Sequence, residues 1–189
     1  MPDIKDQKLL YHLTSFENLA GILAGGLKPR ASLQKFSDVA DPEILVKRKM
    51  LGLDHFVPFH WFCNNPFDGG VKRKHPQTQF LLITVRRSVA RRSGWRVIPR
   101  HPLANDAFQL LDYQTGFEAI EWEVMNTRDY HNSHCKSVCM AECLSPAPVP
   151  HTHFFKIFVP DEAVATISRS KLMEAGVNVE VDVKPGMFS

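Results

Sequence analysis

Three groups of side chains in this sequence have types and spacing suited to chemistry. The first is a late cluster of His131, His134, Cys135, Cys139, Cys143, His151 and His153. Zinc would be its chemistry, but no Cys-x-x-Cys pair exists and His131-x-x-His134 has no matching second pair. The thiols alternate with Val138, Met140 and Leu144, so they read as buried, reduced structural cysteines at helical spacing. The second is Glu142, a lone carboxylate in the apolar run Cys139-Met140-Ala141-Glu142-Cys143-Leu144. A charge there is costly to bury without a partner. It reads either as a sheet-edge residue facing water or as a carboxylate at the mouth of a cleft. The third is Tyr11-His12-Leu13-Thr14, where an imidazole stands at a strand-to-helix junction. A Ser/His/Asp hydrolase is not indicated, since no G-x-S-x-G nucleophile turn occurs, and nothing marks Cys63 or Cys135 as an activated thiolate.

Elements must position these groups. Residues 9–13 form a short apolar run that fits a strand. Residues 14–27 carry a helical stripe of Phe16, Leu19, Ala20, Leu23 and Leu27, capped by Thr14 or Ser15 and stopped at Gly25-Gly26. Asp38 or Asp41 can cap a second helix running to Lys49. Residues 56–62 read as an aromatic strand, and Asn64-Asn65-Pro66 and Asp68-Gly69-Gly70 as turns. Residues 80–85, a continuous apolar run rich in β-formers, predict a strand buried on both faces. A helical turn is expected at 88–92, strands at 95–98, 139–144, 154–158 and 177–183, and a short helix at 160–168, while 116–125 stays ambiguous. Strands mixed with helices without regular βαβ alternation predict an α+β fold. G-x-G-x-x-G and Walker signatures are absent, which argues against a Rossmann-type dinucleotide fold.

The chain has 189 residues, 44% hydrophobic and 23% charged, the composition of one ordinary globular domain spanning 1–189. No apolar run approaches the ~18–20 residues of a membrane span, and the first residues lack a signal-peptide core, so a soluble, cytoplasmic protein with no membrane partner is expected. Net charge is only +3, but its distribution is uneven. No acidic residue lies between Asp68 and Asp106, while that stretch carries Lys72, Arg73, Lys74, Arg86, Arg87, Arg91, Arg92, Arg96 and Arg100. Such a segment suits a polyanion, or is a solvated basic face.

The blocks Tyr11-His12-Leu13-Thr14-Ser15-Phe16-Glu17-Asn18-Leu19, Ile44-Leu45-Val46-Lys47-Arg48 with Asp54-His55-Phe56-Val57-Pro58-Phe59, and Glu121-Trp122-Glu123 leading to Met140-Ala141-Glu142-Cys143-Leu144 stand in one order. In that order and spacing the sequence resembles the DarT family, bacterial toxins that ADP-ribosylate bases in single-stranded DNA. The resemblance implies an ADP-ribosyltransferase fold with a split, mostly antiparallel β core. It implies NAD⁺ as co-substrate with no metal, and a macrodomain antitoxin of the DarG kind. By the same resemblance His12, Thr14, Asn18 and Arg48 would bind NAD⁺, and Glu142 with Arg48 would be catalytic. The segment 126–138 would present the target base. Where family members that modify thymidine carry Tyr-Phe and a Ser-Pro-Met-type turn, this chain has His60-Trp61-Phe62-Cys63-Asn64-Asn65-Pro66-Phe67, which leaves thymidine and guanosine both open.

On that reading, Glu142 would steady the positive charge developing on the ribose as nicotinamide leaves, and would take the proton of the attacking base nitrogen. Arg48 would meet the pyrophosphate. Lys72, Arg73, Lys74, Arg128, His131, His134 and Lys136 would follow the phosphates of a single strand, with Tyr130, Trp61 or Phe62 stacking a base. The alternatives are transfer to RNA or protein, a non-catalytic single-strand-binding domain, and a zinc module.

Overall fold

The computed structural model describes residues 3–34, 36–38, 42–103 and 109–189. In chain order the elements are β1 (Leu9–Ser15), α1 (Leu19–Gly25), α2 (Pro42–Met50), β2 (Val57–His60), α3 (Pro66–Lys74), β3 (Phe80–Arg86), α4 (Arg87–Arg92), β4 (Arg96–Ile98), β5 (Leu111–Asp112), α5 (Tyr113–Ala119), α6 (Trp122–Thr127), α7 (Ser133–Val138), β6 (Glu142–Ser145), β7 (Phe154–Val159), α8 (Glu162–Glu174) and β8 (Glu180–Val183). The strands form one eight-stranded sheet ordered β5-β4-β6-β2-β1-β3-β7-β8. Every neighbouring pair is antiparallel except β7 with β8, which fits the expected α+β class.

The sheet divides at its middle. β1 and β3 pair along seven positions, from Leu9↔Arg86 to Ser15↔Phe80, whereas β1 and β2 share only Tyr11↔His60. Beyond that pair the two strands part, and the gap opens beside His12 and Thr14.

One face of the sheet is sealed by α1 and α4–α8 over a continuous core that includes Leu10, Leu19, Phe59, Leu81, Ile83, Met125 and Ile157. Burying each such side chain stabilises the fold by about 1.5–3 kcal/mol. The other face carries two smaller clusters. Tyr11, Leu13, Val71, Phe80, Leu82 and Phe158 pack under α3, and Leu53, Ile98 and Leu144 pack beyond β6.

Several expectations change. The helix expected over 14–27 starts at Leu19, because Thr14 and Ser15 complete the ladder with β3 and a 3₁₀ turn, Phe16–Asn18, intervenes with Ser15 as its cap. Gly26 ends α1 at φ 74° and ψ 177°, a positive-φ conformation open to glycine but not the left-handed helical stop expected at Gly25-Gly26. Asp68-Gly69-Gly70 is helical rather than a turn, since Asn65 caps α3 through Asp68 N and Pro66 supplies a favourable first residue. The aromatic strand stops at His60, ahead of a bend, and α8 runs six residues past the expected 168. The run 139–144 enters β6 only at Glu142, and of the three late cysteines only Cys135 lies in a helix, α7. All three are buried, as structural thiols should be. The segment 126–138, read as a base-presenting loop, ends instead in α7. The ambiguous stretch resolves into α5 and α6, separated at Ile120 and Glu121. The cap at Asp41 lies outside the described residues.

Candidate active site

A cavity of about 630 Å³ occupies the division of the sheet, lined among others by His12, Thr14, Asn18, Arg48, His60, Phe67, His101 and Glu142. The volume falls in the range of small-molecule and cofactor sites.

Glu142 stands at the start of β6, an interior strand, in register with His60 of β2 on one side and Ile98 of β4 on the other. It is therefore not a sheet-edge residue, and its side chain is only 7% exposed. Its charge is tolerated because Arg48, four residues past Ile44 on α2, donates through Nη1 to both carboxylate oxygens at 2.7 and 2.9 Å. Burial pushes the Glu142 carboxyl up, but the Arg48 charge and its hydrogen bonds, with help from His60 and His101, leave it below the ordinary value. Arg48 Nη2 is buried with no partner. Two buried charges of opposite sign are thus joined through one nitrogen, with a second guanidinium donor left over.

His12 crosses the gap between β1 and β2 to bond Pro58 O through Nδ1 at 2.8 Å. A carbonyl only accepts, so Nδ1 carries the proton. Burial holds the ring's pKa below its ordinary value, against the Pro58 bond, and the neutral ring keeps Nε2 as a free acceptor. Thr14 Oγ1 accepts from Asn18 Nδ2 at 3.2 Å, which leaves the Thr14 hydroxyl hydrogen to donate. Asn18 itself spends both amide hydrogens, on Thr14 and on Ser37 O, and accepts from Ser37 N. It lines the cavity, yet its donors serve to pin the 37 loop and Thr14.

The expected nucleic-acid residues divide into two kinds. Around Asn64, left-handed at φ 57°, Lys72 Nζ meets Asn64 Oδ1 at 2.8 Å and Tyr130 donates to Asn64 O at 3.1 Å. Arg128 lies over the Phe62 ring 5.0 Å away. Phe67, at the start of α3, links this group to the cavity. Arg73 and Lys74 are exposed on the last turn of α3, and His131, His134 and Lys136 are exposed at or near α7. His134 bonds Glu121 at 3.1 Å, and Ser137 O accepts from His101 N beside the cavity.

The basic stretch from Lys72 to Arg100 is not one solvated face. Arg87 is buried, donates to the carbonyls of Leu9, Lys5 and Trp61, and lies over the rings of Trp61 and Trp122. Arg86 stacks on Phe155. Trp61 and Phe62 are 1% and 2% exposed, so neither is open to stack a base. Among the described residues no group of three His, Cys, Asp or Glu side chains is arranged to hold a metal ion.

His60 was not foreseen as a site residue. Its ring lines the cavity, stacks on Phe67 at 5.1 Å and has a buried Nδ1 with no partner. Register was the missing information: only strand pairing brings position 60 opposite position 142.

Comparison with known proteins adds a family. The family model for ssDNA thymidine ADP-ribosyltransferase, DarT, matches residues 11–189. Among solved structures, Thermus sp. 2.9 DarT in complex with ADP-ribosylated ssDNA superposes at a TM-score of 0.85 with 16% identity, covering 96% of each chain. Thermus sp. 2.9 DarT in complex with NAD⁺ gives 0.79 at 15% identity over 97% of this chain and 98% of that one. Thermosipho africanus DarTG in complex with ADP-ribose gives 0.72 at 21% identity, covering 96% of this chain and 51% of that one. At these identities the likeness speaks for the fold. No curated protein matches the sequence.

Proposed function

Since the chain belongs to the DarT family of ssDNA thymidine ADP-ribosyltransferases, we propose that its divided-sheet cleft moves ADP-ribose from NAD⁺ to a thymidine of single-stranded DNA. The observation that carries the assignment of residues is the Arg48–Glu142 pair inside the cavity, with Arg48 Nη2 left without a partner. An unmet buried donor costs about 1–3 kcal/mol, a cost that a substrate oxygen removes on binding.

The chain's own groups divide the work. His12 Nε2 accepts from a ribose hydroxyl, and the Thr14 hydroxyl donates beside it. Arg48 Nη2 donates to an oxygen of the dinucleotide or of the incoming base. Glu142, kept ionised by Arg48, lies against the sugar carbon where positive charge grows as nicotinamide departs. The charge of the pair is fixed before the reaction begins, so no reorganisation is needed when the bond breaks. Nicotinamide leaves as a neutral molecule, and the base nitrogen that bonds to the carbon releases one proton.

Lys72, Arg128 and Tyr130 around Asn64 carry the strand toward the cleft, with Arg73, Lys74, His131, His134 and Lys136 as outer phosphate contacts. A single strand presents its base without the cost of unpairing a duplex. The family and the Thermosipho africanus DarTG relative support a toxin whose modification a macrodomain antitoxin of the DarG kind removes. Its DNA substrate supports action in the cytoplasm, and no helix among the described residues is long and apolar enough to cross a membrane. We take residues 1–189 as one catalytic domain.

The test is NAD⁺ labelled in its adenylate, incubated with single-stranded homopolymers. Label on thymidine oligonucleotides, slowed about 10²–10³-fold by Glu142→Gln with the fold intact, is the expected result. Label on protein or RNA but on no DNA would overturn the reading.

A further inference from the structure

Six large apolar side chains are exposed among the described residues, and Phe36 alone of them lines the cavity. Its ring is 37% exposed, with the Arg30 guanidinium lying over it 5.0 Å from the centroid. An aromatic ring left open inside a cavity is surface that a ligand can cover. The backbone beside it is held at two points. Asn18 Nδ2 donates to Ser37 O at 2.9 Å, and Ser37 N donates to Asn18 Oδ1 at 2.8 Å. One carboxamide thus pairs both backbone groups of one residue, as a neighbouring strand would. The same amide donates to Thr14 Oγ1 at 3.2 Å, which ties Ser37 to β1. Asp38 in turn is paired with Arg30, which closes residues 36–38 against the 3₁₀ turn Arg30–Ser32.

We propose that Asn18 is a positioning residue rather than the cofactor contact that the resemblance implies: by holding Ser37 it presents the Phe36 ring to the adenine of NAD⁺. The proposal rests on the transfer reading above and deepens it, by naming what meets the far end of the dinucleotide. Both amide hydrogens of Asn18 are spent, so it has no donor to offer a phosphate or a ribose oxygen. Phe36 offers a π surface, on which a purine stacks without any hydrogen bond.

The ring suits adenine better than nicotinamide. The pyridinium of NAD⁺ is a cation, and the Arg30 guanidinium already stacked on Phe36 repels it, whereas adenine is neutral. Burial and the Arg48 charge hold the Arg30 pKa below its ordinary value, against Asp54. Arg30 and Arg48 thus stand within electrostatic reach of each other. The pyrophosphate that joins the two halves of NAD⁺ relieves that opposition.

Calorimetry with NAD⁺ and with ADP-ribose, which keeps the adenine and lacks nicotinamide, tests the proposal on Phe36→Ala, Phe36→Tyr, Asn18→Ala and the variant carrying both alanines. Phe36→Ala should weaken both ligands by the same factor, about 5–150-fold, the loss of one base stack. Phe36→Tyr keeps the ring and should bind both within about threefold of wild type. Asn18→Ala should weaken both ligands too. The double variant should bind no more than about twofold weaker than Phe36→Ala, because Asn18 acts through the ring. Thermal unfolding reports whether each variant is folded, and the exposed Phe36 variants carry the test alone should Asn18→Ala unfold. A loss confined to NAD⁺, with ADP-ribose unchanged, would overturn the proposal by assigning the ring to nicotinamide. So would binding of both ligands by Phe36→Ala within about twofold of wild type. Losses that multiply in the double variant would also overturn it, since Asn18 would then touch the ligand itself. Wild-type protein that binds neither ligand would instead sink the functional reading.

Discussion

Arg48 and Glu142 lie 94 positions apart in the chain, yet one guanidinium nitrogen of the first, Nη1, holds both carboxylate oxygens of the second at 2.7 and 2.9 Å. The contact joins α2 to β6 across the cavity. Breaking a buried pair strands a charge, at about 3–5 kcal/mol. Glu142→Ala should therefore both abolish transfer and lower the unfolding temperature by several degrees. Glu142→Gln, which still accepts hydrogen bonds, should lose ~10²–10³-fold in kcat with a smaller thermal shift. Calorimetric melting beside the transfer assay separates the two effects.

The pair also sets a pH limit. Glu142 is held below its ordinary value of 4.5, so its contribution to stability is complete above about that pH and is lost as pH falls through the lower folded value. In Arg48→Gln the opposing influence of burial is left in command, and the carboxyl should rise above 4.5. The acid limb of whatever transfer activity remains should move to higher pH, as a pH–rate profile would show. An unmoved limb would mean that Arg48 does not control the Glu142 charge.

His60 acts in the same direction over a higher pH window. Its folded pKa of about 4 lies below the ordinary 6.5. As pH falls from 6.5 to 4, the unfolded chain takes up a proton that the folded chain does not, and stability declines across that window. The loss approaches about 3 kcal/mol by this site alone. Urea unfolding of His60→Phe should be flatter than wild type over the same range.

The surface around Asn64 makes a separate prediction. Lys72→Ala and Arg128→Ala should weaken binding to single-stranded DNA. Each should reduce the slope of log K against log salt by about 0.7, as expected for one lost phosphate contact to a single strand. NAD⁺ affinity should be unaffected. Fluorescence anisotropy at several salt concentrations provides the slopes.

Away from the site, Gly116 tests the packing of α5. A Cβ there would lie 2.4 Å from Val97 Cβ, so the helix sits against β4 only because position 116 has no side chain. Gly116→Ala should cost about 1–3 kcal/mol in denaturant unfolding while the folded fraction keeps its activity.

These residues also mark what was legible in the sequence. The strand Phe80–Arg86 was plain, because a run buried on both faces has no competing helical period. His12, Arg48 and Glu142 were named from motif order, and the fold brings all three to one cavity. His60 escaped notice because its place in the cavity depends on register with β6, and pairing between distant strands leaves no local trace. The Asp68-Gly69-Gly70 run misled because glycine favours turns, whereas a capping Asn65 and a following proline outweighed it. Arg87, Trp61 and Phe62 misled by composition: cation and ring are spent on each other and on backbone carbonyls inside the protein. Charge counted along a chain does not distinguish a buried guanidinium from a surface one.

The central claim is that one cleft joins ADP-ribose to thymidine under the control of Glu142. Mass spectrometry of single-stranded oligonucleotides, each containing one kind of base, after incubation with NAD⁺ tests it most directly. The predicted result is one added ADP-ribose per modified thymidine with the wild-type protein, formed about 10²–10³-fold more slowly with Glu142→Gln. Unchanged oligonucleotides of every base, from folded protein that binds NAD⁺, would contradict it.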